Sequence, residues 1–254
     1  MAPLLSCHNL SLSFHEKGKE TAVLNRISFD VDKGKFVAIV GPSGCGKSTI
    51  LNLISGLLKA EDGTILIEET PISYPNRQIG YMLQKDHLFE WRSIWKNILL
   101  GPEICKCLTD EQVKYGNELL TNYGLADFKH ARPSQLSGGM RQRAALIRTL
   151  IMKPSILLLD EPFSALDSQT RLKVSDDIGS IIRKENITTI LVTHDISEAI
   201  SMADRVIILT ERPAAVSKTI DINLTCEPKT VMGSRNAPEF RTYFNQIWKE
   251  LNKT

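Results

Sequence analysis

One glycine-rich segment of the chain has the residue types that bind a polyphosphate. Glycines let consecutive backbone N–H groups converge on an anion, and the N-terminal end of a following helix adds positive potential. In such a loop a lysine reaches the terminal phosphates, and the next hydroxyl side chain is offered to Mg²⁺. A purely structural turn is the alternative, but a buried strand before the segment and a helix after it favour phosphate binding. The segment comprises Gly41, Pro42, Ser43, Gly44, Cys45, Gly46, Lys47, Ser48 and Thr49.

Two adjacent acidic residues follow an apolar run later in the chain. The run 156–159 ends in Asp160 and Glu161, and parallel strands deliver such residues to the ligand edge of a sheet. Asp160 is suited to the Mg²⁺ shell. Glu161 is placed to polarise an attacking water, which a kinase with a small-molecule acceptor would not need. The pair favours hydrolysis, with such a kinase as the alternative.

Two further segments also have residue types that contact nucleotides. His194 follows an apolar run ending at Val192, at the same predicted edge, although a structural histidine or a metal ligand has the same pattern. Ser137 precedes Gly138 and Gly139 and is a predicted N-cap whose helix exposes backbone N–H groups to an anion. A simple capped helix is the alternative for this second segment.

Apolar periodicity predicts the elements that position these residues. An antiparallel hairpin with a charged turn at 15–20 is predicted for residues 4–31, and a buried parallel strand is predicted for residues 36–40. Residues 87–152 lack strand patterns and are predicted to be a helical insertion. Further strands are predicted at 64–67, 78–83, 156–159, 189–192 and 206–209, and helices at 47–58, 170–184, 197–203 and 240–251. The alternation predicts an α/β fold with a mostly parallel sheet.

Composition excludes several classes of protein. The 254 residues are 42% apolar and 24% charged, which is typical of a folded globular protein. The net charge of +2 argues against nucleic acid as a partner. The longest apolar run, 36–40, has five residues, far short of the roughly 20 that span a bilayer. No secretory signal is expected, so the cytosol is the default compartment.

The cysteines do not form a disulfide framework. Their number is odd, at five, and their spacing fits no framework, so reduced thiols are expected. Cys105 and Cys107 could form half of a metal site, but no second pair at zinc-like spacing accompanies them. The five are Cys7, Cys45, Cys105, Cys107 and Cys226.

Taken in order along the chain, these segments resemble the nucleotide-binding subunits of ATP-binding cassette (ABC) transporters. The resemblance implies an α/β fold with a P-loop NTPase (RecA-like) core, an antiparallel β subdomain and an inserted α-helical subdomain. One ABC ATPase domain would span 1–254, with core and β subdomain at 1–86 and 153–212, helical subdomain at 87–152, and a C-terminal extension at 213–254. The motifs are the phosphate loop, Gln84, 136–140, 159–162, 164–167 and His194.

The resemblance also implies ATP and Mg²⁺ as cofactors and a role for each site residue. Glu161 would be the general base and His194 the γ-phosphate sensor. Gln84 would reach Mg²⁺, together with Ser48 and Asp160, and would contact the attacking water. Phe14 matches the aromatic residue that stacks on adenine, often Tyr in the family. Ser137, Gly138 and Gly139 would contact the ATP of an opposite subunit, Asp167 would couple the two sites, and Met140 replaces the usual glutamine.

Partners follow from the same resemblance. The family pairs as a head-to-tail dimer with two ATP molecules in its interface, so a homodimer is expected. Two transmembrane permease subunits, and through them an extracytoplasmic solute-binding protein, would complete the assembly at the cytoplasmic face of the membrane. Segments 88–92, 160–167, 203–206 and 211–213 are similar to importers of nitrate, sulfonates, taurine or thiamine-precursor pyrimidines. An exporter subunit and a soluble non-transport ABC ATPase are the alternatives.

The tryptophan pair and the C-terminal amphipathic segment each allow more than one interpretation. Trp91 and Trp95 are four residues apart, so on one helix they would share a face. That face would pack within the helical insertion or receive a partner's helix. The amphipathic segment 240–251 is expected to pack on the core, with contact to a membrane surface as the alternative.

Overall fold

Two β-sheets organise the chain. The computed structural model describes residues 2–16, 18–72, 74–226 and 230–253. Its strands are β1 Leu5–Glu16, β2 Lys19–Val31, β3 Phe36–Val40, β4 Asp62–Ile67, β5 Thr70–Pro71, β6 Ile79–Met82, β7 Ile156–Asp160, β8 Thr188–Val192, β9 Arg205–Leu209 and β10 Val216–Asp221. One sheet has the order β2-β1-β4-β5 and the other has the order β10-β9-β3-β8-β7-β6.

The larger sheet is parallel except at one edge. Strands β9, β3, β8, β7 and β6 run parallel, and β10 pairs antiparallel with β9. Every residue of β3, β7 and β8 is buried, as expected for strands covered on both faces. The carboxyl ends of these three strands therefore meet at one edge, which confirms the predicted parallel sheet.

The smaller sheet contains the predicted hairpin. Strands β1 and β2 pair antiparallel from Leu5↔Val31 to Glu16↔Lys19, and β4 adds antiparallel to the other side of β1. The predicted turn includes Lys17, which lies outside the described residues. This sheet is the antiparallel β subdomain that the resemblance implied.

Nine α-helices lie in the described ranges. They are α1 Lys47–Ile54, α2 Ile94–Ile98, α3 Leu100–Ile104, α4 Asp110–Asn122, α5 Gly138–Leu150, α6 Ser168–Lys184, α7 Ile196–Met202, α8 Val231–Asn236 and α9 Phe240–Leu251. Short 3₁₀ turns occupy Ala126–Phe128 and Pro133–Gln135. Every element between β6 and β7 is helical, as predicted. Helix α1 ends before the predicted Leu58, because Gly56 adopts a φ of +75° that ends a helix.

Three elements lacked a clear sequence signal. Strand β10 lies at the sheet edge and only Ile220 of it is buried, so its pattern is mostly polar. Strand β5 has two residues and helix α8 has six. Elements this short have too few residues to show a periodicity.

The core lies on both faces of the parallel sheet. Val37 and Ile39 of β3 face the antiparallel sheet and helix α1, whereas Phe36, Ala38 and Val40 face the remaining helices. This alternation is the period of two expected for a strand. Because each face of β3 is buried, its register is strongly specified.

Helix α9 packs on the helical side of this core. Ile247 is fully buried, and Phe240, Tyr243, Phe244 and Leu251 pack beside it. The expectation of core packing for this segment is confirmed. In the described part of the chain, no helix has the length and apolar character needed to cross a bilayer.

Candidate active site

The glycine-rich segment forms a loop between strand β3 and helix α1. Gly46 immediately precedes the helix with a φ of +120°, a conformation that side-chain-bearing residues rarely adopt. A Cβ atom at Gly46 would lie 2.9 Å from side-chain carbons of Val23 and Leu24. Both the backbone and the packing therefore require glycine here. Ser43, Gly44 and Ser48 are exposed, and the rest of the segment is buried or half-buried.

Lys47 is held inside this loop. Its ammonium group donates to the carbonyl oxygens of Gly41 at 2.9 Å and Pro42 at 2.8 Å, and the residue is only 6% exposed. An ammonium group has three N–H donors, so these two bonds leave one for an anion. The side chain is therefore positioned at the point where the loop would receive phosphate.

Ser48 and Asp160 meet beside the loop. The Ser48 hydroxyl donates to Oδ1 of Asp160 at 2.9 Å, and the Tyr81 hydroxyl lies 3.4 Å from Oδ2. Burial raises the pKa of Asp160 above its usual range; the bond from Ser48 opposes this, and the nearby Glu161 carboxylate adds to it. A hydroxyl and a carboxylate side by side are oxygen ligands of the kind Mg²⁺ takes. The donor set fits a magnesium ion.

Glu161 and His194 form a second pair at the same edge. Glu161 Oε2 lies 3.1 Å from His194 Nδ1. The Glu161 N–H donates to the Val192 carbonyl at 2.9 Å, so the ends of β7 and β8 are joined. Glu161 has a φ of +45°, a strained conformation that costs about 1–3 kcal/mol and is common at functional sites. The fold thus positions the backbone of Glu161 next to Asp160, and the carboxylate contacts His194.

Gln84 reaches the same region through a serine. Its Nε2 donates to the Ser164 hydroxyl at 3.1 Å, and that hydroxyl donates to the Glu161 carbonyl at 3.0 Å. No separate role was predicted from the sequence for Ser164 or Tyr81. Neither residue had a signal of its own, because both act through contacts with residues distant in sequence.

The predicted second anion-binding surface lies at the start of helix α5. Ser137 caps the helix by accepting from the Met140 N–H at 3.3 Å, which confirms the predicted N-cap. A Cβ at Gly139 would lie 2.6 Å from Val174 of α6, so the close approach of the two helices requires glycine. Gly138 lines a surface cavity with Gln84. The phosphate-loop residues 42–45 line a different cavity, which shares no lining residue with the first.

Asp167 and Phe14 are the two remaining residues that were predicted to contact or couple the nucleotide sites. Asp167 caps helix α6, accepting from the Gln169 and Thr170 N–H groups at 3.1 and 3.0 Å. The hydrogen bond from Thr170 lowers the pKa of this carboxyl. Phe14 lies on β1 and is 44% exposed, so part of its side chain is accessible to a ligand.

The expectation that Trp91 and Trp95 share a helix face is wrong. Helix α2 begins at Ile94 after the N-cap Ser93, so Trp91 lies in the preceding loop. The Asn97 side chain is fully buried and donates to the carbonyls of 89, 92 and 93, which holds that loop outside the helix. Trp95 packs against the core. Trp91 is 72% exposed and stacks on Phe89 with ring centroids 4.7 Å apart.

Comparison with known proteins decides the family. The ABC transporter family model matches residues 24–164. An uncharacterized ABC transporter ATP-binding protein, YtlC of Bacillus subtilis (strain 168), is 46% identical over 94% of this chain and 92% of its own length. The chain belongs to the ABC transporter family. It is an ATP-binding cassette protein, and this family hydrolyses ATP.

Other relatives of this ABC protein include an importer subunit and solved cassettes. The aliphatic sulfonates import ATP-binding protein SsuB of Bacillus licheniformis is 38% identical, over 97% of this chain and 95% of its own. A dimeric, post-hydrolysis structure of the cassette MJ0796 with ADP and Pi has a TM-score of 0.73 and 29% identity, covering 86% and 99% of the two chains. CbiO1 from Clostridium perfringens, part of the complex cbiONQ, has a TM-score of 0.76 and 26% identity, covering 87% and 89%. The predicted fold class is confirmed.

Neutralising Asp160 is expected to stabilise this ABC protein in the absence of nucleotide. Because the folded-state pKa is raised, the cost of the buried charge is present above that pKa and disappears as the pH falls through it. Asp160→Asn should therefore raise the free energy of unfolding at pH 7 by on the order of 1 kcal/mol, and the gain should shrink toward pH 4. Urea unfolding at several pH values measures this.

Asp127→Asn is the control, since Asp127 is exposed. It should leave the free energy of unfolding nearly unchanged at each pH. An Asp160→Asn protein that is less stable than wild type at pH 7 would contradict the assignment of burial as the dominant effect.

Proposed function

We propose that this chain is the ATP-hydrolysing subunit of an ABC importer. The observation that carries the proposal is the meeting, at one sheet edge, of the phosphate loop, the Ser48–Asp160 pair and the Glu161–His194 pair. Glu161 would accept a proton from the attacking water, and His194 would contact the γ-phosphate while holding the Glu161 carboxylate. Mg²⁺, held by Ser48, Asp160 and Gln84, would neutralise phosphate charge.

We propose that each ATP site is complete only when two copies of this chain pair. We infer that Ser137 and Gly139 complete the phosphate loop of a second copy, because Gly138 between them lines a cavity that shares no residue with the cavity at the loop. Dimeric structures of the related cassette MJ0796 support this arrangement. ATP binding would then close a homodimer, hydrolysis would reopen it, and Asp167 would couple the two sites.

Cassettes of this family work with membrane permeases, and one surface here fits that contact. Phe89 and Trp91 form a stacked aromatic pair, and Trp91 is 72% exposed. The buried Asn97 fixes the loop that carries both rings. A rigid, exposed tryptophan is a frequent anchor in protein interfaces. We propose that this pair contacts a permease subunit at the cytoplasmic face of the membrane.

The transported solute is proposed from relatives, since this subunit does not contact it. The SsuB relatives import aliphatic sulfonates according to their names. Uptake of a sulfonate-like anion with an extracytoplasmic solute-binding protein is therefore proposed. The importer subgroup that the sequence resembles also includes importers of nitrate, taurine and pyrimidine precursors of thiamine. An exporter subunit and a soluble ABC ATPase are the alternatives. No observation favours them over an importer.

Removing the carboxylate of Glu161 should separate ATP binding from hydrolysis. Glu161→Gln keeps the shape of the side chain but removes the base, so the kcat for ATP should fall about a hundredfold to ten-thousandfold. ATP should still bind, and dimer should accumulate. Phosphate release and light scattering with ATP measure the two effects. Glu239→Gln, at an exposed carboxylate that bonds Thr225, is the control, and undiminished hydrolysis by Glu161→Gln would remove Glu161 as the base.

Truncating Trp91 should weaken attachment to the permease. Trp91→Ala removes an exposed ring, and loss of such an anchor weakens binding about tenfold or more. Co-purification of the membrane subunits with the tagged cassette measures this. Trp248→Ala is the matched control, because Trp248 is also exposed, at 57%, but lies on α9. Equal losses from both variants would refute a specific role for Trp91.

Disrupting this gene in its source organism should abolish uptake of one solute class. We expect loss of uptake of a labelled aliphatic sulfonate, with uptake of sulfate retained as the control. Uptake should return with the wild-type gene and fail to return with Glu161→Gln. If uptake of the sulfonate persists while uptake of nitrate or of a pyrimidine is lost, the solute proposal is wrong but the importer proposal stands.

A further inference from the structure

The turn after β9 contacts the phosphate loop through one charged side chain. Arg212 donates from Nε to the Gly44 carbonyl oxygen at 3.0 Å, and its Nη2 donates to the same oxygen. The two residues are 168 positions apart in sequence. Gly44 is exposed at the tip of the loop. The rigid fork of a guanidinium can place two donors on one acceptor, which the single ammonium of lysine does not reproduce.

The peptide unit that Arg212 holds also closes the tip of the loop. The Cys45 N–H donates to the Pro42 carbonyl at 3.3 Å, which defines a four-residue turn with Gly44 as its third residue. The φ of +73° at Gly44 is that required at this position of a type II turn. The Gly44 C=O and the Cys45 N–H belong to one planar peptide unit. By fixing the oxygen, Arg212 therefore fixes the orientation of the N–H as well.

The position of Arg212 is itself set by the fold. Ala214, two residues later, is fully buried. Its N–H donates to the Val23 carbonyl at 2.8 Å, and its carbonyl accepts from the Asn25 N–H at 2.8 Å. Val23 also packs beside Gly46 at the other end of the loop. The turn that carries Arg212 and the base of the loop are thus anchored to the same strand, β2.

Arg212 also complements Lys47 in the electrostatics of the loop. Lys47 is bonded to the carbonyl oxygens of Gly41 and Pro42, and Arg212 is bonded to that of Gly44. A carbonyl oxygen that turned toward a bound phosphate would repel it. A cation bonded to the Gly44 oxygen keeps it directed toward the side chain of Arg212 instead.

We propose that Arg212 is a positioning residue for nucleotide binding. Its guanidinium group holds the Gly44–Cys45 peptide in the orientation in which the loop receives the phosphates of ATP and ADP. Arg212 acts through Gly44 and takes no part in the chemical step. The inference rests on the proposed role of the loop in binding nucleotide.

Substitution of Arg212 should change nucleotide affinity without changing the rate of hydrolysis. Loss of charge-assisted bonds at this exposed site should raise the Kd for Mg-ADP and the KM for ATP about tenfold in Arg212→Ala, with kcat unchanged at saturating ATP. Arg212→Lys should recover only part of the affinity. Titration calorimetry with Mg-ADP and steady-state phosphate release measure these quantities. Arg212→Gln provides the same test if the alanine variant does not fold.

Arg205→Ala is the matched control. Arg205 begins strand β9, whose other end leads to Arg212, and it pairs with Asp221 at 2.7 Å. Its loss should leave Kd and KM at wild-type values, and thermal unfolding should show that both variants remain folded.

Three results would overturn the inference. They are unchanged Mg-ADP affinity in Arg212→Ala, a fall in kcat with KM unchanged, and full recovery by Arg212→Lys, which would show that charge alone matters. A wild-type protein that fails to bind Mg-ADP would instead contradict the proposed function, and the inference with it.

Discussion

Three buried parallel strands, β3, β7 and β8, must end at the same edge of one sheet, and the proposed chemistry depends on this constraint. The phosphate loop follows β3, Asp160 ends β7, and His194 lies two residues after β8. A slip of one residue in β3 would exchange the side chains that face the two halves of the core, at a large cost in buried apolar surface. Packing therefore sets the position of the phosphate loop relative to Asp160 and His194, which lie more than a hundred residues later in the sequence.

The same edge contains features that lower the stability of the fold. The Asp160 carboxyl is buried and close to Glu161, which together raise its pKa, and Glu161 adopts a left-handed backbone conformation. Such local conflicts are typical of functional sites and are tolerated because the surrounding structure is well packed. Here the two core clusters enclose β3 and β7 on both faces. The stability of the sheet makes a strained, charged edge possible.

The helical insertion combines closely packed positions with an exposed aromatic side chain. Helix α5 approaches α6 so closely that Gly139 has no room for a side chain, and the buried Asn97 fixes the loop before α2. The same loop leaves Trp91 exposed, and Gly138 lines a cavity that shares no residue with the cavity at the phosphate loop. An exposed aromatic ring on a well-packed lobe fits the proposal that this subunit acts together with other chains.

The sequence by itself determined the phosphate loop, the acidic pair after β7, the N-cap at Ser137 and most strands and helices, because each depends on residues close together in the chain. It did not determine that Trp91 lies outside a helix, that Ser164 joins Gln84 to Glu161, or that β10 adds to the sheet edge. The contact of Arg212 with Gly44 also had no local signal. These features depend on contacts between distant segments, which exist only after the strands have stacked and the helices have packed on them.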